Sequence, residues 1–137
     1  MYKAIEINNE DIGNLMKIFK DYDMQDVSAR INKGMISTKV YIDSYEESSL
    51  YFYIFKDEVV IQSVSITNKR RGIGTKLIKE CANIGRSKNV SKIRIQSVIS
   101  NEMVSLCKKF RFKQDEYTSF FEDKGDYIGL IDDVLSF

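Results

Sequence analysis

Apolar residues alternate with polar ones in some stretches of this chain and recur every three or four positions in others, and these two periods divide it into elements. Residues 2–8, YKAIEIN, have the pattern of a short strand. Asn9 stands where a helix cap belongs, ahead of Ile12, Leu15, Met16 and Phe19 at helical spacing. A second helix is expected over about 24–34. STKVYID (37–43), SSLYFYIF (49–56) and EVVIQSVSI (58–66) are rich in β-branched or aromatic residues, and their short connections predict an antiparallel meander. After TNKRRGIGT, a stripe of Leu77, Ile78 and Cys81 predicts a helix to about residue 85. VSKIRIQSV (90–98) then predicts a strand, and Met103, Leu106, Cys107 and Phe110 a helix from about 101 with Ser100 or Asn101 as its cap. Two closing strands, EYTSFFED and GDYIGLIDD, would turn at Lys124-Gly125-Asp126.

The expected order is β-α-α-β-β-β-α-β-α-β-β, an α/β fold with a mixed sheet. No repeat, low-complexity tract or proline interrupts it, so one domain is expected over residues 1–137. A length of 137 residues and an apolar share of 43% allow a core that needs no staples. The N-terminus lacks a basic region followed by an apolar run, and no segment reaches the ~20 apolar residues that cross a bilayer. Cys81 and Cys107 lie far apart and outside metal-ligand spacing, which favours a reducing compartment and a cytoplasmic location.

The chain has no histidine, which removes imidazole bases, His-paired nucleophiles and His-ligated zinc. Its net charge of +1 hides a division: residues 69–113 carry 13 Lys/Arg against Glu80 and Glu102, a local +11, and the remainder carries −10. A polyanion beside the basic segment, and a cation beside the acidic remainder, would complement that distribution; a solvated charged face is the plainer alternative.

The strongest chemical signal is KRRGIGTK at a strand-to-helix passage. A helix N-terminus offers unpaired N–H groups and a partial positive charge, and Gly72 and Gly74 let an anion approach the backbone. Lys69, Arg70, Arg71 and Lys76 add positive potential. A Walker A loop does not fit, since Gly-Thr-Lys stands where Gly-Lys-Thr is needed and Lys69 where the first glycine is counted. A Rossmann fingerprint needs a third glycine where Leu77 stands.

VSITNKRRGIGTKLI resembles the acyl-CoA motif Gln/Arg-x-x-Gly-x-Gly/Ala of the GCN5-related N-acetyltransferases, with Lys69 at the first motif position. SNEMVSLCKKFRFK is similar to a second segment of that family, matching at Lys109 and Phe112. The resemblance spans roughly residues 37–131. It implies a splayed mixed sheet with coenzyme A between the fourth and fifth strands, backbone groups of Val64, Ser65 and Ile66 on the pantetheine arm, and amides of Arg70, Arg71, Gly72, Ile73, Gly74 and Thr75 on the pyrophosphate. Lys69 and Asn101 complete the expected cofactor-binding set, and Ser100 stands at a family asparagine.

The implied activity is transfer of an acetyl group from acetyl-CoA to a primary amine, with no metal. The family's usual proton donor, a tyrosine, corresponds to Cys107; Tyr127 and Tyr117 are further candidates. Glu58 stands at a distance upstream of Lys69 similar to that of the general base in histone-type members. The residues themselves leave plainer readings open: a core thiol for Cys107, a polar turn for Asp57-Glu58 and helix caps for Ser100 and Asn101. An acceptor of small-molecule or peptide type would be drawn by Glu46, Glu47, Asp57 and Glu58. A membrane partner is not expected, and a homodimer is compatible. A silent acyl-CoA sensor is the second reading. RNA binding is disfavoured, because residues 69–113 offer only Phe110 and Phe112 for stacking.

Overall fold

The computed structural model describes residues 3–23, 26–44, 48–65 and 72–137. Helix α1 (Gly13–Asp23) precedes four strands, β1 (Val27–Lys33), β2 (Thr38–Ser44), β3 (Ser49–Phe55) and β4 (Glu58–Ser65). Helix α2 (Ile73–Ser87), β5 (Lys92–Val98), α3 (Asn101–Lys109), β6 (Lys113–Gln114), β7 (Gly125–Leu130) and α4 (Ile131–Leu135) follow. Among the described residues the strands form one sheet in the order β1-β2-β3-β4-β5-β7-β6, in which β4 and β5 pair in parallel and the other neighbours antiparallel.

Strand alternation decides which side of the sheet carries the core, because residues paired across a ladder share a face. Val40, Ile42, Leu50, Phe52, Ile54, Val59, Ile61, Ile93 and Ile95 lie on one face and are buried. Burial of each such side chain stabilises by about 1.5–3 kcal/mol. The opposite face carries Tyr41, Tyr51, Tyr53 and Arg94, all half-buried. There the Tyr51 hydroxyl donates to Asp43 Oδ1 at 2.8 Å, and Arg30 stacks over Tyr41 at 4.6 Å.

Helix α2 lays Leu77, Ile78, Cys81 and Ala82 into the core. Gly85 lets it sit close to the sheet, since a Cβ there would fall 2.5 Å from Val59 Cγ2 and 2.7 Å from Ile131 Cδ1. Helix α1 contributes Leu15 and Phe19. Its entry is fixed by Asn8 and Asp11, not Asn9: the amide of each donates to the other's side chain, at 2.9 and 3.1 Å.

Three expected elements differ. Residues 3–8 join no ladder; Ile7 inserts into the core, and the edge beside β2 that a first strand would take is held by β1. The helix expected over 24–34 is β1 in its described part. Val27 and Ile31 suit a helical stripe, yet Val27, Ala29 and Ile31 also alternate with Ser28, Arg30 and Asn32, and seven pairings with β2 settle the choice. EYTSFFED is mostly turn, holding only a bridge between Phe121 and Lys124. The partner of β7 is instead Lys113–Gln114, and β7 ends before Ile131, where Asp132 and Asp133 favour a helix start.

Candidate functional site

Strands β4 and β5 run to Ser65 and Val98, but their ladder ends at the Ile61–Ile95 pair. Each carries an irregularity just beyond. On β4, Ile61 pairs with Phe52 and Ser63 with Tyr51, which leaves Gln62 as an extra residue. On β5, Ile95 pairs with Tyr127 and Val98 with Gly125, so Gln96 and Ser97 together face Asp126. Bulges bend and twist a strand. With one on each strand at the same level, the pair parts into a cleft of about 650 Å³.

The walls of the cleft are Gln62, Ser63, Val64 and Ser65 from β4 and Gln96, Ser97 and Val98 from β5. Ile73, Met103 and Leu106 supply apolar surface, and Gly72, Gly74 and Thr75 stand in its wall at the start of α2. Gly72 caps that helix in the left-handed conformation, at φ 64°, and among the described residues no side chain hydrogen-bonds there as a cap. No described atom lies within 4 Å of the position of its missing Cβ. Helix α3 begins differently, with Ser100 Oγ accepting from the Met103 amide at 3.1 Å. Among the described residues no side chain takes the first-turn amides of α2, and a helix start of this kind suits a ligand or water.

The sequence-derived cofactor set falls into parts. Val64, Ser65, Gly72, Ile73, Gly74 and Thr75 come together around the cleft. Ile66, Lys69, Arg70 and Arg71 lie outside the described residues, as do Glu46 and Glu47. Asn101 is next to the cleft, but its Oδ1 accepts from Lys124 Nζ at 2.6 Å.

None of the three expected catalytic side chains lines the cleft. Glu58 sits on the first β4–β5 rung, three residues or roughly 10 Å before the strands part. Its Oε1 accepts from Arg94 Nε at 2.7 Å. Cys107 is fully buried, and burial pushes its thiol up to about 12. Tyr127 is buried and donates to the Asp123 carbonyl at 2.6 Å; burial, then the charge of Asp123, raises its pKa. Tyr117 is almost fully exposed on the turn before β7. Asp57 is engaged by the amide and hydroxyl of Ser91.

Groups in and beside the cleft were not singled out from the sequence. Gln96 reaches across to the Tyr53 hydroxyl at 3.5 Å. Arg94 Nη1 donates to Asp115 Oδ2 and Asp126 Oδ2, each at 2.9 Å, in addition to its bond with Glu58. Burial works against the Arg94 charge, but hydrogen bonds to Asp115, Glu58 and Asp126 outweigh it and raise its pKa. The same bond from Arg94 holds the Asp115 carboxyl below its ordinary value. The signal available in the sequence was the pair Gln96-Ser97, which breaks the apolar alternation of IRI just where the strand bends.

No family model matches the sequence, and no curated protein matches it. Solved structures do. A candidate acetyltransferase from Agrobacterium tumefaciens superposes with a TM-score of 0.51 at 10% identity, covering 95% of this chain and 96% of the other. A candidate acyl-CoA N-acyltransferase from Klebsiella pneumoniae gives 0.51 at 10% identity over 93% and 94%. Ard1 from Thermoplasma volcanium gives 0.50 at 11% identity over 92% and 95%. The fold is that of the GCN5-related N-acetyltransferases. In the terms of that fold, the parted pair β4 and β5 corresponds to the strands expected to splay, and α2 to the helix that follows the Gly-x-Gly turn. Among the described residues no helix is long and apolar enough to cross a membrane, and no group of three or more Cys, Asp or Glu is placed to hold a metal ion.

Proposed function

We propose that this protein is an acetyl-CoA-dependent N-acetyltransferase acting on a primary amine of a small molecule or peptide. The observation that carries the reading is the parted β4–β5 pair with the uncapped start of α2 in the wall of the same cleft. An extended amide-bearing arm followed by a diphosphate needs strand-edge partners and then a group of N–H donors. Main-chain groups of Val64 and Ser65 would serve the arm, and amides of Gly72, Ile73, Gly74 and Thr75 the diphosphate. Ile66, Lys69, Arg70 and Arg71 belong to the same proposal by their place in the motif. Apolar side chains of Ile73, Met103 and Leu106 would exclude water from the acyl end.

The bound thioester supplies an activated acyl carbon; the chain supplies orientation. Glu58 and Cys107, by their match to family positions, and Tyr127, as a tyrosine of the closing strands, remain the proposed proton-handling groups, yet Glu58 is held by Arg94 and the buried Cys107 thiol is a poor acid. Rate in this proposal therefore rests chiefly on holding amine and thioester together, with the amine proton passing to water. The same engagement of Glu58 and Cys107 favours one second reading, an acyl-CoA-binding module without transferase activity.

Calorimetric titration with acetyl-CoA, coenzyme A and a short RNA tests the binding claim, with micromolar affinity expected for the first two. Thiol release measured across polyamines, amino acids, aminoglycosides and peptides separates enzyme from module. Turnover with any amine supports transfer; tight binding with silence across the panel supports the module. RNA binding that is steeply salt-dependent and unaffected by acetyl-CoA would overturn both.

A further inference from the structure

The cleft opens beyond the Ile61–Ile95 rung, and on the β5 side the structure gives the strand a device for turning away. Ser97, the second bulged residue, holds φ at 51°, a left-handed conformation that favours glycine. Something must hold a serine there. Its amide donates to Asp126 Oδ1 at 2.8 Å, and the other carboxylate oxygen, Oδ2, accepts from Arg94 Nη1 at 2.9 Å. Asp126 is 8% exposed, so the pair is shielded from competing water. Arg94 lies on the last part of β5 that still pairs with β4, opposite Val60. One carboxylate thus ties the bulge to the paired part of the same strand and takes the amide hydrogen that β5 would otherwise offer elsewhere.

We propose that Asp126 is a positioning residue that keeps the cleft open: anchored by Arg94, it holds the Gln96–Ser97 bulge and prevents β5 from pairing with β4 beyond Ile61 and Ile95. Without it, β5 regains a regular strand and the unpaired groups of residues 62–65 find partners across the gap. The functional consequence rests on the coenzyme reading above. The device itself does not.

Two measurements decide it. Amide hydrogen exchange by NMR on the free protein reads the gap without any ligand. In Asp126→Ala the Ser97 amide exchanges at least ten times faster, and amides within 62–65 gain protection. Asp126→Asn keeps an acceptor for the Ser97 amide but turns an NH2 group toward the Arg94 Nη1 donor and so loses the anchor. It should give exchange between the native and alanine patterns, and if the alanine variant does not fold, fully native exchange in Asp126→Asn overturns the proposal. Coenzyme A titration then gives a Kd about ten times weaker for Asp126→Ala, and within about twofold of wild type for Asp115→Asn, which removes a different partner of Arg94. Native exchange at Ser97 and 62–65 in a folded Asp126→Ala protein overturns the proposal. So does an Asp115→Asn protein that loses coenzyme A affinity as much, since that marks a general effect of the charge cluster. Failure of the wild-type protein to bind coenzyme A overturns the function proposed above, and the exchange data still decide the role of Asp126.

Discussion

A thiol packed among apolar side chains is a weak acid, and Cys107 is in that position. Its pKa near 12 means that thiolate is scarce at neutral pH. Ellman's reagent should therefore find no rapidly reacting cysteine in the native protein and two on unfolding, because Cys81 is equally buried. Linkage gives the sign of the stability effect. Both folded thiol values lie above the ~8.5 of a free cysteine, so above that pH the unfolded chain binds fewer protons than the native one. Stability should then fall as pH rises from about 8.5 toward 12, and the fall should be shallower in Cys107→Ala, as followed by urea melts at each pH. Gly72 is a different residue-scale case. Alanine there meets no described atom, so the expected cost is that of the left-handed backbone, about 1–2 kcal/mol by chemical denaturation.

Among the elements, α2 is the one whose placement the site depends on, and Gly85 sets its distance from the sheet. Gly85→Ala should destabilise by about 1–3 kcal/mol in urea melts, because Val59 and Ile131 must both give way. Arg94→Ala leaves Glu58, Asp115 and Asp126 facing one another and should cost about 2–3 kcal/mol at pH 7, discounted from the fully buried case because the cluster is partly exposed. The stability that Arg94 confers on Asp115 is present above the unfolded carboxylate value of ~3.9 and lost as pH falls through the lowered native one. The gap between Arg94→Ala and wild type should accordingly be narrower at pH 3 than at pH 7. Much of the element plan was legible because β2, β3, α2 and α3 carry unmixed periods, and the apolar run Val59-Val60-Ile61 marks β4 as a buried strand. Val27–Lys33 satisfied two periods at once, and only its partner across the sheet could choose between them. EYTSFFED has strand-like composition, but Tyr117, Phe120 and Phe121 are largely exposed, so no core holds them in a ladder. At the site, glycines next to a helix stripe announced the α2 end of the cleft; the Arg94 cluster joins β4, β5, β7 and the residue after β6, and such long-range juxtapositions leave no local pattern.

For the whole molecule, the test is whether a ligand in the cleft stabilises the fold. Coenzyme A at a hundred times its Kd should add about 2.7 kcal/mol, which for a chain of this size raises Tm by roughly 10 °C. A melting point unmoved by saturating coenzyme A would count against the proposed function. The sheet also has a mechanical property. One antiparallel plate, β1 to β4, and another, β5 to β7, share a ladder of four rungs among the described residues, Glu58–Lys92 to Ile61–Ile95, with α2 as a brace behind. A guest that replaces the missing rungs splints the two plates into one board. Slow breathing across that seam is what such a splint should quiet first.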